Sequence, residues 1–317
     1  MFAGKVFVGT AGTLNTMMSP AAPRGRFAPS PTGELHVGNL RTALIAWMSA
    51  RQAGGSFIVR MEDLDRETSA RRHEQQQLDD LHAIGLDWDG EVVRQSDRFD
   101  VHRDAIATLR NQGALYECFC TRREIREAAQ APNGPGEGLY PGTCRELTAA
   151  AANGLRDAGR RPALRLRAEA ITVRIDDAVA GPFDGVADDA VVQRNDGIPA
   201  YNLAVVVDDA DQGVTEVIRG DDLLAVTPQQ VVIQRRLGLA MPRYGHVPLV
   251  LAPDGSRLAK RHGAVTLADL AARGTAPAAV RAMLLASLGV DAEGAGTAVI
   301  DLSRLTRRPW QLTADQL

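Results

Sequence analysis

The stretch RFAPSPTGELHVGNLRTALIAWMSARQAGGSFIVRMEDLD, from Arg26 to Asp65, decides the fold class of this chain. Its beginning, with the preceding glycine, predicts a short strand that ends in a proline-stiffened loop. VGNLRTALIAWMSARQAGG predicts a helix closed by Gly54 and Gly55, and SFIVRME a second, buried strand. Strand, helix and strand in this order favour a parallel sheet with right-handed crossovers, whose ligand crevice lies beyond the carboxyl ends of the strands.

The rest of the chain continues this alternation with one interruption. SARRHEQQQLDDLHAIG predicts an amphipathic helix that ends at Gly85. From about Asp87 to Arg194, a Gly/Pro-rich segment and short strands such as ALRLR and ITVRI indicate an insertion. The alternation resumes at GIPAYNLAVVVDDADQGVTEVIRG, where AVVV is the predicted central strand, and TPQQVVIQRRLG predicts the next helix. We therefore expect a doubly wound, Rossmann-like α/β sheet.

The predicted organisation has five parts. They are a disordered extension (residues 1–23), the first half of the Rossmann-like domain (24–86), an inserted α+β subdomain (87–194), the second half of the domain (195–262) and a short helical C-terminal region (263–317). The first two dozen residues lack the clean apolar centre of a signal peptide. A disordered extension, or a true start at Met17 or Met18, is therefore favoured over a signal peptide.

Composition narrows the class of protein. The 317 residues are 45% hydrophobic and 24% charged, which is typical of a globular protein. A net charge of -3 gives no support for strong non-specific binding to nucleic acid, so an RNA partner would have to meet a local basic face. Three cysteines are too few for a disulfide framework, and no apolar run is long enough to span a membrane. We expect a monomeric cytoplasmic protein with no membrane partner.

The tetrapeptide HVGN lies where the proline-rich loop enters the first helix. A helix N-terminus offers unpaired N–H groups and a partial positive charge, so a glycine-rich turn before it suits a phosphate. Gly33 and Gly38 would let the backbone approach that phosphate, while Pro29 would stiffen the loop. His36 could donate a hydrogen bond to a phosphoryl oxygen. From the short pattern alone, a helix cap with a surface histidine is the favoured alternative.

The run from Arg26 to Asp65 resembles the N-terminus of glutamyl-tRNA synthetases and their truncated relatives, in which HVGN stands where class I synthetases carry their HIGH signature. The resemblance resumes at GLDWDG, RQSDR, YNLAVVVDDADQGVTEVIRGDDLL and YGHVPLVLAPDGSRLAKRHGA, and covers residues 25–266. SRLAKRHGA corresponds to the mobile KMSKS loop of the family. Arg257 and Ala259 replace the usual lysine and serine there, whereas Lys260 keeps the second lysine. From its own residues, this loop could also be a solvated basic turn.

The resemblance implies attack by the carboxylate of glutamate on the α-phosphate of ATP, which gives glutamyl-adenylate and pyrophosphate. Neither reactant needs a protein nucleophile, so the enzyme must supply positioning and charge stabilisation. His36 and Lys260 are the implied catalytic residues, and both belong to an ATP site completed by Gly38 and Asn39. Mg2+ would accompany the ATP and neutralise its charge.

A site for L-glutamate needs donors for two carboxylates and an acceptor for one ammonium group. Arginine suits a carboxylate because its planar fork donates paired hydrogen bonds. The resemblance implies Arg219 for the side-chain carboxylate, Glu62 for the ammonium group and Tyr201 for a completing hydroxyl. It implies further contacts from the opening segment: Arg26, Phe27, Ala28, Pro29 and Ser30. A structural ion pair is the alternative for Glu62 and Arg219.

Two acidic pairs in the second half of the chain invite a metal assignment. They are Asp208 with Asp209 and Asp221 with Asp222. Such pairs are more often solvated or used as helix caps, so we interpret them in that way and leave them out of the predicted site.

The three cysteines of the chain, Cys118, Cys120 and Cys144, flank the Gly/Pro-rich part of the insertion. Thiolates concentrated in a segment without an obvious core suggest a structural Zn2+, although buried, unligated cysteines are equally compatible with the spacing. Three thiolates leave one tetrahedral position open. The resemblance implies Tyr140 as the fourth ligand, because the truncated relatives share the Cys-x-Cys and Tyr-x-x-x-Cys spacing.

Residues 261–317, which follow the second signature, would suffice for a few helices but not for a helical anticodon-binding domain. This architecture resembles the truncated relatives, which transfer glutamate to queuosine in the anticodon loop of tRNA(Asp). Val205 also favours them, because the full synthetases commonly have a polar residue there. Arg94 and Arg98 are candidate RNA contacts, with scattered surface arginines as the alternative. A truncated enzyme that charges a tRNA 3′ end and an inactive RNA-binding module remain alternative functions.

Overall fold

The computed structural model describes residues 22–130, 139–256, 258, 265–290 and 300–313. Within these ranges, short 3-10 helices lie at Gln95–Arg98, Asp221–Val226 and Leu302–Arg304. The α-helices are α1 (Val37–Gln52), α2 (Arg71–Ala83), α3 (Phe99–Asn111), α4 (Arg122–Gln130), α5 (Ala149–Asp157), α6 (Tyr201–Asp211), α7 (Thr227–Leu237), α8 (Leu267–Ala272) and α9 (Pro277–Ala286). The strands are β1 (Arg24–Phe27), β2 (Ser56–Met61), β3 (Val93–Arg94), β4 (Leu115–Cys118), β5 (Ala163–Leu166), β6 (Ile171–Asp177), β7 (Gly181–Ala187), β8 (Val191–Gln193), β9 (Glu216–Gly220), β10 (Arg243–Val247), β11 (Val250–Leu251) and β12 (Trp310–Gln311).

Five parallel strands form the sheet that positions the site. β1, β2 and β3 pair in that order, and β9 pairs with β10. The two groups meet where the Thr215 N–H donates to the carbonyl oxygen of Arg24 over 3.0 Å and the Arg24 N–H donates to Thr215 Oγ1 over 2.8 Å. The strand order is therefore β3-β2-β1-β9-β10, and the predicted parallel α/β sheet is confirmed.

Both faces of this sheet are covered, as a doubly wound fold requires. Side chains alternate between the faces of a strand, and β2 follows this rule. Phe57 and Val59 pack into a core with α1, whereas Ile58 packs into a second core with α3, α6 and α7. On β9, Ile218 joins the first core and Val217 the second. Helices on opposite faces therefore diverge from the neighbouring strands β1 and β9, which creates a crevice at their carboxyl ends.

One predicted element is wrong. The run AVVV, predicted as the central strand after the insertion, lies in α6, and every residue from Leu203 to Asp209 is buried. A short continuous apolar run does not distinguish a buried strand from a buried helix, because both lack a solvent face that would show its period. The strand beside β1 is instead β9, which follows in the sequence.

The inserted segment forms two antiparallel units. β4, β5 and β8 make a small sheet, and β6 and β7 make a hairpin. The hairpin reaches the catalytic sheet, because the Ala178 N–H just after β6 donates to the carbonyl oxygen of Tyr244 on β10 over 2.8 Å. The insertion thus contacts β10, the strand that pairs with β9 at one edge of the sheet.

The last described segments pack against α1. Leu270 of α8 and Leu284 of α9 are buried in the core that contains Leu44, and β12 pairs with β11. In the part of the chain that the structure describes, no helix combines the length and the apolar character needed to cross a bilayer. Residues 1–21 and the predicted loop residues Arg257, Ala259 and Lys260 lie outside the described residues.

Candidate active site

A cavity of about 650 Å3 opens at the carboxyl ends of β1 and β9, where the topology creates the crevice. Its lining includes most residues of the predicted site that the structure describes: Arg26, Phe27, Ala28, Pro29, Ser30, His36, Gly38, Asn39, Glu62, Tyr201 and Arg219. The structure therefore brings the predicted glutamate and ATP residues together around one cavity. Their individual roles stay predictions.

The proline-rich loop between β1 and α1 is held by its backbone carbonyl groups. The Glu62 N–H at the end of β2 donates to the carbonyl oxygen of Pro29 over 2.9 Å. Gln77 of α2 donates through Nε2 to the carbonyl oxygens of Ser30 (3.1 Å) and Gly33 (2.6 Å). The Ala70 N–H, just before α2, donates to the carbonyl oxygen of Pro31 over 3.0 Å. Elements on both sides thus fix the loop, and Gln77, which the sequence did not indicate, supplies two of these contacts.

His36 is the N-cap residue of α1. Its Nδ1 accepts a hydrogen bond from the Asn39 N–H over 3.3 Å, and Asn39 Oδ1 accepts one from the His36 N–H over 3.2 Å. Because Nδ1 acts as an acceptor, the neutral ring carries its proton on Nε2, where it can be donated. The predicted cap and the predicted donor are therefore compatible uses of the same ring.

Gly38 is constrained by this capping arrangement. A Cβ atom at position 38 would lie 2.9 Å from Cε1 and 3.0 Å from Nδ1 of His36, and 3.4 Å from Cβ of Val250. Any side chain there would displace the His36 ring. Glycine at this position thus maintains the ring geometry as well as access to the helix N-terminus.

The carboxylate-paired wall comprises Arg26 and Glu62, which line the cavity, and Asp209 and Arg60, which lie behind them and contact them. Arg60 is fully buried and lies 2.8 Å from Asp209 Oδ1 and 3.2 Å from Glu62 Oε1. Arg26 Nε lies 3.5 Å from the same Asp209 oxygen, and its Nη1 donates to the carbonyl oxygen of Ile218. Burial raises the pKa of Glu62 above its ordinary value, although Arg60 and Arg26 oppose this shift. Glu62 is thus paired with Arg60 and not with Arg219.

Behind this wall, Asp208 is also buried. Its oxygens lie 2.6 Å from Arg98 Nε, 2.9 Å from His102 Nε2 and 2.9 Å from Gln95 Nε2, the last as the acceptor of a hydrogen bond. Burial alone would raise the pKa of Asp208, but the His102 hydrogen bond and the neighbouring cations lower it. The interpretation of Asp208 and Asp209 as solvated or capping residues is wrong, because both belong to buried charge networks.

The two arginines proposed as RNA contacts are also engaged within the protein. Arg98 pairs with Asp208 and with Asp211, and Arg94 Nε lies 3.0 Å from Glu74 Oε2. Their guanidinium groups are directed to carboxylates of the protein itself, which favours the structural alternative.

The neutral wall comprises Arg219, which lines the cavity, and the three uncharged residues that accept its hydrogen bonds: Thr227, Gln230 and His246. Arg219 Nε donates to His246 Nε2 over 3.0 Å, and Nη2 donates to Thr227 Oγ1 (2.8 Å) and Gln230 Oε1 (2.7 Å). Among the described residues, no carboxylate oxygen lies within 4.0 Å of Arg219. Its three acceptors are uncharged, so this buried guanidinium lacks a direct counter-ion.

The flanks of the second signature lie beside His36. The Val37 N–H donates to the carbonyl oxygen of Val265 over 2.9 Å, and His36 pairs with Thr266 in an antiparallel bridge. Leu258 lines the cavity. Lys260 itself lies outside the described residues, but Leu258 before it lines the cavity, and Val265 and Thr266 after it pair with the HVGN segment.

Comparison with known proteins identifies the family. The catalytic-domain model of class I tRNA synthetases (E and Q) matches residues 23–308. The chain belongs to the class I tRNA synthetase family. The expected family membership and the α/β catalytic fold are thereby confirmed.

Three similar proteins place this class I synthetase more closely. A glutamyl-Q tRNA(Asp) synthetase of Nocardia farcinica (strain IFM 10152) is 55% identical over 295 residues, which are 92% of this chain and 94% of that protein. A glutamate–tRNA ligase of Nitratidesulfovibrio vulgaris (strain DP4) is 43% identical over 259 residues, which are 80% of this chain and 55% of that protein. The solved structure of a glutamate tRNA ligase from Elizabethkingia meningosepticum CCUG26117 in complex with its amino acid superposes with a TM-score of 0.78 at 26% identity, covering 93% of this chain and 68% of that one.

The cysteines of this class I synthetase form one cluster. Their three sulfur atoms lie within 4.8 Å of one another, with Cys120 and Cys144 3.5 Å apart. Tyr140 Oη lies 3.3 Å from Cys118 Sγ and 4.0 Å from Cys120 Sγ. Hydrogen bonding from Cys120 lowers the pKa of Cys118 to about 4, with a further contribution from Tyr140. Ligands around a tetrahedral zinc lie about 3.8 Å apart, so this donor set could hold such an ion.

A second cavity of about 830 Å3 joins the synthetase site to the cysteine cluster. It shares Ser30, Glu62 and Tyr201 with the first cavity and is also lined by Cys118 and Cys120. Its remaining lining carries five arginines: Arg122, Arg160, Arg161, Arg165 and Arg194. The two cavities thus meet at Tyr201, whose pKa burial and the nearby Glu62 raise.

Proposed function

We propose that this class I synthetase activates L-glutamate with ATP, without needing tRNA, and transfers the glutamate to queuosine in the anticodon loop of tRNA(Asp). The observation that carries the choice of amino acid is the neutral wall. A buried guanidinium without a direct counter-ion suits a ligand carboxylate, because paired N–H donors and opposite charge then meet in a site shielded from water. The N. farcinica relative is named for the proposed transfer to tRNA(Asp).

We propose the following roles for the residues that bind glutamate during its activation. Arg219 binds the side-chain carboxylate of glutamate, Glu62 accepts from its ammonium group, and Tyr201 completes the pocket beside them. The carboxylate-paired wall keeps Glu62 and Arg26 fixed through Arg60 and Asp209. Phe27, Ala28, Pro29 and Ser30 contribute through the loop that Gln77 holds in place.

The ATP phosphates are assigned to the HVGN end of the cavity. His36 would donate from Nε2, and Gly38 and Asn39 would present the helix N-terminus, while Mg2+ enters with the nucleotide. Lys260 would stabilise the negative charge that develops on the phosphates during attack. The pairing of Val265 and Thr266 with the His36 segment supports this assignment, because it keeps the second signature beside the first.

Lys260 can be tested selectively because Lys5 and Lys260 are the two lysines of the chain. We expect Lys260→Ala to lower glutamate-dependent ATP–pyrophosphate exchange about a hundred- to a thousandfold. An amine-reactive label should modify Lys260 in the free enzyme, and saturating Mg-ATP should protect it, with Lys5 as the internal control in peptide mass spectrometry. Equal labelling of Lys260 with and without ATP would contradict its place in the ATP site.

The receiving RNA is assigned to the second cavity, because its arginines can meet phosphates and its junction with the first cavity lies at the glutamate end. Arg122, Arg161 and Arg194 are exposed and suit phosphate contacts. Alanine at these three positions should impair transfer to tRNA while glutamate-dependent exchange without tRNA continues. Loss of both activities would instead indicate damage to the catalytic sheet.

The decisive experiment offers labelled glutamate and ATP to three RNAs: tRNA(Asp) with queuosine, tRNA(Asp) without it, and tRNA(Glu). Labelling of the first alone is expected. Labelling of tRNA(Glu) would favour a synthetase that charges the 3′ end. If no ATP–pyrophosphate exchange occurs without RNA, activation does not proceed independently of tRNA. If neither exchange nor labelling of any RNA occurs, an RNA-binding module is favoured.

We also propose that Cys118, Cys120, Cys144 and Tyr140 bind one structural Zn2+, which would hold the insertion beside the second cavity. Metal analysis of protein purified without added metal should give about one zinc per chain, lost in Cys118→Ala. A wild-type protein free of zinc after purification and after incubation with zinc would reject the site. The monomeric state and the cytoplasmic location stay predictions.

A further inference from the structure

The end of the β6–β7 hairpin places a carboxylate behind the neutral wall. Asp177 accepts hydrogen bonds from the backbone N–H groups of Val179 (2.9 Å), Ala180 (2.8 Å) and His246 (3.0 Å). Its Oδ2 also lies 2.6 Å from His246 Nδ1. Although burial alone would raise the pKa of Asp177, these hydrogen bonds lower it below its ordinary value. Asp177 is therefore an ionised acceptor with a fixed position.

The hydrogen bonds on both sides of His246 fix its tautomer. Arg219 Nε always carries a proton, so His246 Nε2 must accept across the 3.0 Å that separate them. The proton of the neutral ring is then on Nδ1 and is donated to Asp177. Burial lowers the pKa of His246, and the charge of Arg219 lowers it further, although Asp177 opposes this shift. Thr227 Oγ1 lies 3.1 Å from His246 Nε2 and 2.9 Å from the carbonyl oxygen of Leu223. Because Nε2 already accepts from Arg219, it can accept from the Thr227 hydroxyl but not donate to it.

The donors of Arg219 can be counted. A guanidinium has five N–H groups, and the hydrogen bonds to His246, Thr227 and Gln230 use Nε and both hydrogens of Nη2. Within the described part of the chain these are its hydrogen bonds to protein, so the two N–H groups of Nη1 remain for a ligand in the cavity that Arg219 lines.

A carboxylate placed directly on Arg219 would also orient it, but that carboxylate would occupy the donors and the charge that a substrate needs. An imidazole between Asp177 and Arg219 avoids this competition. Asp177 fixes the imidazole, and the imidazole in turn fixes the guanidinium of Arg219. The negative charge of Asp177 still offsets part of the free-energy cost of burying the cation.

We propose that Asp177 and His246 form a positioning relay that orients Arg219 for the side-chain carboxylate of glutamate. This inference rests on the proposed use of glutamate. Asp177 and His246 act through Arg219 and touch no substrate. Because the relay belongs to the inserted hairpin and to β10, it makes amino-acid recognition depend on the docking of the insertion against the catalytic sheet.

The test compares three variants by ATP–pyrophosphate exchange and by calorimetric titration with L-glutamate. His246→Phe removes the acceptor and should raise the KM for glutamate about 10- to 100-fold, while the KM for ATP changes less than about twofold. His246→Gln keeps a neutral acceptor near the position of Nε2 and should restore the KM for glutamate to within about fivefold of the wild type. Gln234→Met is the control. It alters a buried polar residue on α7 and should leave the KM for glutamate and the KM for ATP unchanged.

A measurement on the wild type does not depend on the folding of variants. Long-range proton–nitrogen NMR correlations of His246 should show the neutral tautomer protonated on Nδ1. Protonation on Nε2 would overturn the relay, as would an unchanged KM for glutamate in His246→Phe or equal increases of both KM values. If the wild type binds no glutamate at all, the proposed function fails together with the relay; binding with normal affinity in His246→Phe removes the relay alone.

Discussion

Arg26 and Arg219 are buried at the ends of neighbouring strands, yet their charges are compensated in different ways. On the carboxylate-paired wall, Arg26 and Arg60 share Asp209, and Arg60 also pairs with Glu62. On the neutral wall, Arg219 is surrounded by a hydroxyl, an amide and an imidazole. The two walls therefore differ in charge compensation: the arginines of the first have carboxylates within 4.0 Å, although Arg26 Nε and Arg60 Nε lack hydrogen-bond partners in the described part of the chain, whereas Arg219 has uncharged acceptors.

The difference separates stability from recognition. A buried arginine with its own carboxylates is satisfied before any ligand arrives, and breaking such a pair leaves an uncompensated charge in a poorly solvated place. A buried arginine with neutral acceptors retains its charge for a ligand, at some cost to the unliganded protein. Substitutions of Arg60 and Asp209, which support the carboxylate-paired wall without lining the cavity, should therefore act mainly on folding, and those on the neutral wall mainly on glutamate.

The largest effect is expected for Arg60→Met. Removing the guanidinium leaves Glu62 buried without its paired cation and Asp209 with Arg26 alone, which should lower the free energy of unfolding by about 3–5 kcal/mol. Urea denaturation measures this change. Arg51→Met is the matched control, because Arg51 pairs with the largely exposed Asp87 and Asp89 and should cost less than about 1 kcal/mol. Similar losses in the two variants would show that burial of the network contributes little.

Arg219→Met should produce the next largest effect, on binding. Loss of the guanidinium is expected to weaken glutamate binding on the order of a hundredfold, about 3 kcal/mol, with little change in the KM for ATP. Arg219→Lys should recover only part of the affinity, because an ammonium group cannot reproduce the planar fork. A fall in stability as large as that of Arg60→Met, with glutamate affinity preserved, would reverse the roles of the two walls.

Local sequence patterns predicted the strands and helices around the cavity better than the side-chain contacts of the two walls. β1, α1 and β2 have clear boundaries in the sequence, because glycines and prolines flank one largely apolar helical segment and two short strand segments. Arg26, Glu62 and Arg219 were assigned to the pocket by resemblance, and the structure brings them to one cavity. In contrast, α6 was predicted as a strand, since a helix buried on all sides shows no helical period.

The supporting residues could not be predicted from local patterns. Asp209 follows another aspartate in a polar segment that is typical of a solvated turn, and its burial depends on Arg26 and Arg60, which are distant in the sequence. His246 gave no signal of its own in YGHVPLV, because its partners come from β6 and β9. Arg60 lies in a strand pattern where a charged residue is usually exposed. Such contacts arise only when the sheet and the insertion assemble.

Asp80 extends the comparison of charge compensation, because this buried carboxylate is not paired with an arginine. Asp80 on α2 is almost fully buried and accepts a hydrogen bond from Gln76 Nε2 over 2.9 Å; among the described residues, no cation lies within 4.0 Å of it. Burial raises its pKa to about 6, whereas the pKa of the cation-paired Asp208 is lowered. The pKa of a buried aspartate is therefore raised or lowered according to whether a cation lies beside it.

The smallest predicted effect follows from this shift. Because the folded-state pKa of Asp80 exceeds that of the unfolded chain, the folded protein binds the additional proton, and a penalty for ionisation develops as the pH rises from about 4 to about 6. The shift from 3.8 to about 6 sets an upper limit of about 3 kcal/mol on this penalty at pH 8. Asp80→Asn should recover part of it and raise the free energy of unfolding by about 1 kcal/mol at pH 8, with a smaller gain at pH 5. Urea denaturation at the two pH values measures the difference, and the exposed Asp79→Asn is the control. A gain that is equal at both pH values would mean that ionisation of Asp80 is not its source, and that a buried carboxylate here needs no arginine to remain charged.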